Sequence, residues 1–173
     1  MNYTIEKSIE ILERTPEVLR DLLHGISPEW SSNNEGEETW SPFDVIGHLV
    51  YAEKVNWLQR AEIILSDKQD KTFPTFDRFA QFEESKGKSL IQILDEFKTL
   101  RKENIEKLLA LNLSIDDLNK NGIHPTFGEV TLSQLLSTWV VHDLSHLSQI
   151  SRVMAKQYKE AVGPWTEFLR ILQ

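Results

Sequence analysis

Apolar residues recur at spacings of three and four along four long stretches of the chain, and almost nowhere do they alternate with polar ones. That is the period of helices buried along one face. The first stretch runs from Thr4 to about His24, with Ile5, Ile9, Leu12, Leu19 and Leu23 on one stripe. Thr15-Pro16-Glu17 interrupts it. Proline lacks the N–H that would bond the carbonyl four residues back and crowds the turn before it, so a kink or restart is expected there, with Thr15 as a candidate cap. Gly25 suits the left-handed residue that ends a helix. The second stretch opens at Ser41-Pro42, a capping hydroxyl followed by proline at the first helical position, and reaches about Leu65. Val45, His48, Ala52 and Val55 form its inner seam, and Phe43, Ile46, Leu49 and Val50 widen the apolar face. The third runs from Ser89 to about Leu111 with Leu90, Leu94, Phe97, Leu100, Ile105 and Leu108 inward. The fourth runs from Thr131 to about Tyr158. Its seam of Leu135, Trp139, His142, His146, Gln149 and Val153 steps by 4, 3, 4, 3 and 4, as in a bundle helix.

The connections are long. Ser27 to Thr39 is rich in Ser, Asn, Gly and Glu and reads as a loop. Asp67 to Lys88 spans 22 residues in which Phe73, Phe76, Phe79 and Phe82 recur every third position, predicting one or two helical turns in a packed crossover. Asn112 to Val130 reads as irregular, with turn-forming Asn121-Gly122 and His124-Pro125. Gly163-Pro164 breaks the chain before a short closing helix from Trp165 to Leu172. The fold class expected is all-α, a four-helix bundle with long crossover connections, which permit parallel neighbours, in one domain over residues 1–173.

Composition narrows the chemistry. A 40% apolar fraction in 173 residues supports one core. The formal charge of −8 without a basic cluster disfavours nucleic acid as a partner. Cysteine is absent, which excludes disulfides, thiolate metal sites and a cysteine nucleophile. No apolar run approaches the roughly 20 residues of a membrane span and no basic-then-apolar leader opens the sequence, so the expectation is a cytoplasmic protein without a membrane partner.

Three of the five histidines occupy inward seams, where an imidazole must find partners or suffer desolvation. His142 and His146 are one turn apart on one helix, the spacing at which two rings reach one divalent ion. If the second and fourth helices pack together, His48 adds a third nitrogen, and three imidazoles with open positions describe a catalytic type of metal site. The same rings are also compatible with satisfied polar residues in a core. His142-Asp143-Leu144-Ser145-His146 lacks the glutamate of the HExxH metalloprotease motif, and no Glu-x-x-His pair supports a di-iron centre. There is no Gly-rich phosphate loop and no nucleophile elbow. Asp44 and Gln149, about one turn from His48 and His146, could orient a ligand ring or bound water, but residues so placed are more often solvated or bonded to backbone, and neither is taken as a site residue. His124 before Pro125 reads as a local cap, and His24 as a helix-terminal charge. Ligation by neutral imidazole predicts metal affinity falling as pH drops through about 6–7.

Trp40-Ser41-Pro42-Phe43-Asp44-Val45-Ile46-Gly47-His48-Leu49 resembles the second-helix motif of the DinB-like superfamily, the damage-inducible helical-bundle proteins and not the error-prone polymerase that shares the name. His124-Pro125-Thr126-Phe127-Gly128-Glu129-Val130-Thr131-Leu132, continuing through Trp139, His142, Asp143, His146 and Gln149, resembles the approach to and body of that family's last helix. The resemblance implies a four-helix bundle with a long crossover. It also implies a divalent metal, often nickel or zinc, held by His48, His142 and His146. Characterised relatives include transferases that use bacillithiol, mycothiol or glutathione and a thiol-dependent maleylpyruvate isomerase. The resemblance therefore implies a metal-dependent thiol S-transferase acting on a small-molecule electrophile, with a low-molecular-weight thiol as cosubstrate and a homodimer as the assembly. Trp40, Trp57 and the Phe73–Phe82 run are candidates to line its pocket. The alternatives are a non-catalytic metal-binding stress-response protein and a structural dimer whose histidines are core polar residues.

Overall fold

The computed structural model describes residues 3–173. Each long helix starts where a short polar side chain can satisfy its free N–H groups. The Thr4 hydroxyl accepts from the Lys7 N–H at the head of α1 (Ile5–Leu12), which is followed by α2 (Arg14–Leu23) and, in the next connection, the short α3 (Pro28–Ser32). Ser41 and Asp44 form a reciprocal capping box on α4 (Pro42–Val55), which continues after a break as α5 (Trp57–Leu65). One turn, α6 (Gln81–Glu84), lies in the crossover. Ser89 and Gln92 cap α7 (Leu90–Ala110). After α8 (Ile115–Leu118), β1 (Asn121–His124) and β2 (Gly128–Thr131) pair as an antiparallel hairpin. Thr131 and Gln134 then cap α9 (Leu132–Lys156). Two 3-10 turns, Gly163–Phe168 and Arg170–Leu172, close the chain and bury Leu172. Such caps contribute about 1 kcal/mol each.

The four long rods are α1–α2, α4–α5, α7 and α9. The first and second each pack against both α7 and α9. The first and second rods therefore sit diagonally across the bundle, as do α7 and α9, while the consecutive α4–α5 and α7 lie side by side, unlike a simple up-down bundle. Cross-links give the directions. Glu17 pairs with Lys98 and Leu12 with Arg101, so α1–α2 and α7 are antiparallel. Gly47 lies against Ile93 and Glu53 against Arg101 and Asn104, so α4 and α7 are parallel. A parallel pair needs a connection that returns along its length, and residues 66–89 provide it. On the way, Thr72 bridges Ile123 of the hairpin, and Phe73 is buried.

The core falls into two apolar clusters. Leu12, Trp57, Ile64, Phe73, Ile105, Leu108, Leu132 and Trp139 fill one end, and Leu19, Val45, Ile46, Ile93, Phe97 and Ile150 the other. Between them lies a buried polar layer. Arg101 donates to both carboxylate oxygens of Asp143 at 2.5 and 2.9 Å and to Glu53 Oε1 at 2.8 Å. Asn104 Nδ2 and Trp139 Nε1 donate to the same glutamate at 2.9 Å. A charged triad at the centre of a bundle is tolerable only when each member is paired and hydrogen-bonded, as here.

Several expectations are corrected. The first rod restarts at Glu13 rather than at Pro16, and Thr15 is no cap; its hydroxyl donates back to the Ile11 carbonyl. The second rod breaks at Asn56. There the carbonyls of Glu53 and Lys54 accept from the Asn104 and Gln59 side chains. In α7 the inward positions after Phe97 are Arg101 and Asn104, while Leu100 is only half-buried. The connection before α9 is a hairpin with its turn at Pro125–Phe127, and Asn121-Gly122 lies in β1. Gly122 is required there by space, because a Cβ would fall 2.5 Å from the Phe73 ring. Of the four regularly spaced phenylalanines, Phe73 is buried and Phe76 half-buried, while Phe79 and Phe82 are exposed.

Candidate metal centre

The capping box fixes where α4 begins and so which residues face α9. It also occupies Asp44, whose carboxylate accepts from Ser41 and not from His48. His48 thus lies in the first half of α4, 6% exposed, and points at α9. On α9 the bidentate Arg101–Asp143 pair sets the rotation of the helix. Asp143 faces the polar layer, and its neighbour His142 turns the other way, with His146 one turn on.

The three rings meet. His48 Nε2 lies 3.1 Å from His142 Nε2, and His142 Nε2 lies 3.1 Å from His146 Nε2. One ring nitrogen from each can be chosen so that all three lie within 4.8 Å of one another. Nitrogens about 2.1 Å from a common ion, at angles between octahedral and tetrahedral, stand roughly 3.0–3.4 Å apart. Among the described residues no carboxylate joins the cluster.

The rings are arranged to be neutral and to present lone pairs. Burial, with the other two rings and Arg101 nearby, lowers the His142 pKa to about 2. Burial, reinforced by His146, lowers that of His48 to about 3. His146 is lowered by burial, with partial offset from Gln149 and Asp143. Gln149 Oε1 lies 2.8 Å from His146 Nδ1. An amide oxygen only accepts, so the ring proton sits on Nδ1 and Nε2 is bare. Trp40 and Phe76 hold His48 from two sides, with ring centroids at 5.0 and 5.5 Å, and Trp57 sets its edge against His142 at 5.1 Å. The buried Nδ1 atoms of His48 and His142 have no hydrogen-bond partner. As a purely structural cluster these rings would crowd three Nε2 atoms together with too few protons to satisfy them. With Nε2 as a ligand atom the crowding has a purpose, so the donor set fits a divalent cation.

Two cavities flank the rings. One, of about 330 Å³, has His48, His142, Trp57, Phe73 and Phe76 among its lining residues. The other, of about 630 Å³, is lined by Trp40, Phe79, Phe82, Gln149 and Arg152, among others. The aromatic residues expected around a pocket therefore divide between two chambers. His124 stays out of the cluster and caps the hairpin turn, its Nδ1 accepting from the Thr126 and Phe127 N–H groups at 3.1 and 3.3 Å. Glu53, Arg101 and Asn104, which with Asp143 position α9 and hence two of the rings, escaped the sequence reading, and Asp143 entered it only as part of the last-helix motif. The signal was present: Leu94, Phe97, Arg101, Asn104 and Leu108 step by 3, 4, 3 and 4.

The sequence profile of the DinB superfamily matches residues 11–150, most of the chain and all three histidines. The chain belongs to the DinB superfamily. Among curated proteins none matches it. Two solved structures share the architecture of this DinB protein. One is YfiT from Bacillus subtilis, described as "a probable metal-dependent hydrolase with an unusual four-helix bundle topology", 18% identical, with 90% of each chain covered and a TM-score of 0.74. The other is TT2238, described as a four-helix bundle protein, 22% identical, with 86% of this chain and 98% of that one covered and a TM-score of 0.53. The expected all-α bundle with long crossovers is the fold of this DinB chain, and among its described residues no helix is long and apolar enough to cross a membrane.

Proposed function

We propose that this DinB protein is a metal-dependent enzyme acting on a small molecule, with His48, His142 and His146 holding a divalent ion, nickel or zinc, at the floor of the 330 Å³ cleft. The observation that carries the reading is the convergence of three ring nitrogens, one of them stripped of its proton by Gln149. Such an ion supplies Lewis acidity, lowering the pKa of a thiol or water that enters its open positions.

The chain's own residues supply position and dryness. Trp57, Phe73 and Phe76 exclude water from the cleft, which strengthens electrostatic interactions inside it. No carboxylate lines that cleft, so a general base of the Asp or Glu type is missing from its walls. That favours a nucleophile that ionises easily. A thiol, with a pKa near 8.5, needs far less help than water, near 15.7. A low-molecular-weight thiol as cosubstrate, and S-transfer to a small electrophile, is the reading we adopt. In that transfer sulfur bonds to the electrophilic carbon, the leaving group departs with its electron pair, and the thiol proton passes to solvent. The description of YfiT supports a second reading, hydrolysis.

Metal analysis of protein purified without chelators tests the centre. One divalent ion per chain is expected, with loss of that ion in H142A and H146A. Metal-loaded protein with 1-chloro-2,4-dinitrobenzene and a panel of cellular thiols tests the chemistry. A thiol-dependent rate above background is expected. Turnover of activated esters without thiol would instead favour hydrolysis, and full metal occupancy with no rate in either assay would favour a non-catalytic metal-binding protein.

A further inference from the structure

The cleft that His48 and His142 line also carries positive charge with no acid in ion-pair contact among the described residues. Arg60 of α5 is 8% exposed. Its one hydrogen bond among the described residues is from Nη2 to the Pro74 carbonyl at 3.3 Å, and its guanidinium lies over the Phe73 ring at 5.1 Å. Its other N–H groups are not sealed off but open to the cleft. The other buried arginine, Arg101, has Asp143 and Glu53, and Arg152 and Arg20 have Glu35 and Asp95, while Arg14 and Arg170, which pair with no acid among the described residues, are exposed to solvent. Arg60 has none within ion-pair distance among the described residues, although acidic side chains outnumber basic ones 27 to 19 in this sequence. Arg78, stacked over Phe79 at 4.8 Å, reaches the same cleft and also pairs with no acid among the described residues. His124 completes the wall. Its Nδ1 is occupied as an acceptor, so Nε2–H is left as a donor, and burial, with the charge of Arg60 second, lowers the pKa of the ring.

A buried guanidinium is costly without a counter-charge, and its fork of donors matches the oxygens of a carboxylate or phosphate. Resting on the reading of this cleft as a substrate site, we infer that Arg60, Arg78 and His124 form an oxyanion subsite, and that the small molecule taken into the cleft carries a carboxylate or phosphate beside an apolar body. Phe73, Phe76 and Phe127 supply the apolar contact. Their low dielectric sharpens discrimination between an anion and a neutral molecule of the same shape.

Calorimetric titration of the full chain with benzoate, phenyl phosphate and benzamide tests this, first with chelator present and then after reloading zinc. In the chelated protein at least one anion is expected to bind about tenfold or more tightly than benzamide, with the tighter of the two identifying the oxyanion. R60Q abolishes that preference, R60K keeps part of it, and R78Q weakens it. Equal affinity for all three probes, a preference that appears only with zinc, or one that survives R60Q would overturn the inference. If R60Q does not fold, R78Q at an exposed position and the three-probe comparison on the unmutated chain decide. Because the chelated protein is measured, failure here leaves the metal analysis of the centre standing, and failure of that analysis leaves this result standing.

Discussion

Arg101 and Pro16 are linked through one carbonyl. Pro16 has no N–H, so it cannot bond the Leu12 carbonyl four residues back, and Arg101 Nη1 donates to that oxygen from α7 at 2.8 Å. Three residues on, Asn104 does the same for the Glu53 carbonyl at the break before α5, also at 2.8 Å. One polar stripe on α7 therefore stitches the interruptions of both neighbouring rods and carries the charges that orient α9.

Removing Arg101 strands two carboxylates in the core. R101M is expected to lose about 3–5 kcal/mol of unfolding free energy, the usual cost of breaking a buried pair from one side. A triple variant, E53L/R101M/D143L, recovers much of that loss because no charge is left unpaired. Urea unfolding checks both, and a loss below about 1 kcal/mol in R101M would show that the layer does not stabilise the fold.

The histidines make the metal-free protein sensitive to acid. Unfolded imidazoles take protons near 6.5, whereas in the folded chain burial lowers His48 to about 3 and His142 to about 2. The unfolded state thus binds more protons below 6.5, so stability is full above that pH and falls as pH drops toward 3. Each ring contributes up to about 1.4 kcal/mol per pH unit within the window. In chelated protein the stability measured between pH 7 and 5 should decline less steeply in H142L than in the parent, and identical slopes would contradict the burial of neutral rings. In the folded apoprotein His48 and His142 are already neutral at pH 6–7, which moves their proton competition for the metal below the window expected from an unperturbed imidazole.

Two glycines separate a rigid packed neighbour from one that can move aside. At Gly122 a Cβ meets the Phe73 ring at 2.5 and 2.7 Å and Ile64 at 2.8 Å, all within a packed core. G122A is expected to cost about 1–3 kcal/mol by overpacking. At Gly47 the near atom is the Ser85 hydroxyl at 2.5 Å, which can rotate away, and the next neighbours stand at 3.5 Å. G47A should be close to neutral, helped by up to about 1 kcal/mol of helix propensity. Thermal melts of the two variants should differ clearly in midpoint, and an equal effect would sink the distinction.

What could be read from the sequence follows the period of burial. Apolar residues at helical spacing and hydroxyl residues at helix starts located all four rods, and His48, His142 and His146 stood out because imidazole is foreign to an apolar seam. Arg101 stood on an equally regular register, but a long charged residue is usually solvated, and Leu100 beside it offered the easier assignment. The hairpin was hidden because its four-residue strands are too short and too polar to alternate visibly. Its place in the fold comes from Phe73 packing on Gly122, a contact between distant parts of the chain. Arg60 was invisible for the same reason: its lack of an acidic partner is a property of the assembled cleft.

Gln149 acts on the centre through His146. Its carbonyl fixes the proton on Nδ1 and so keeps Nε2 available. Removing such an orienting bond typically lowers metal affinity ten- to a hundredfold. Q149L should show a loss of that order by competition with a metallochromic chelator, and Q149E should retain most of the affinity, since a carboxylate accepts the same bond. Neither change touches the core, so their melting temperatures without metal should match the parent, and any affinity lost through general destabilisation would show there instead. Unchanged affinity in Q149L would mean that the helix alone holds the ring in place.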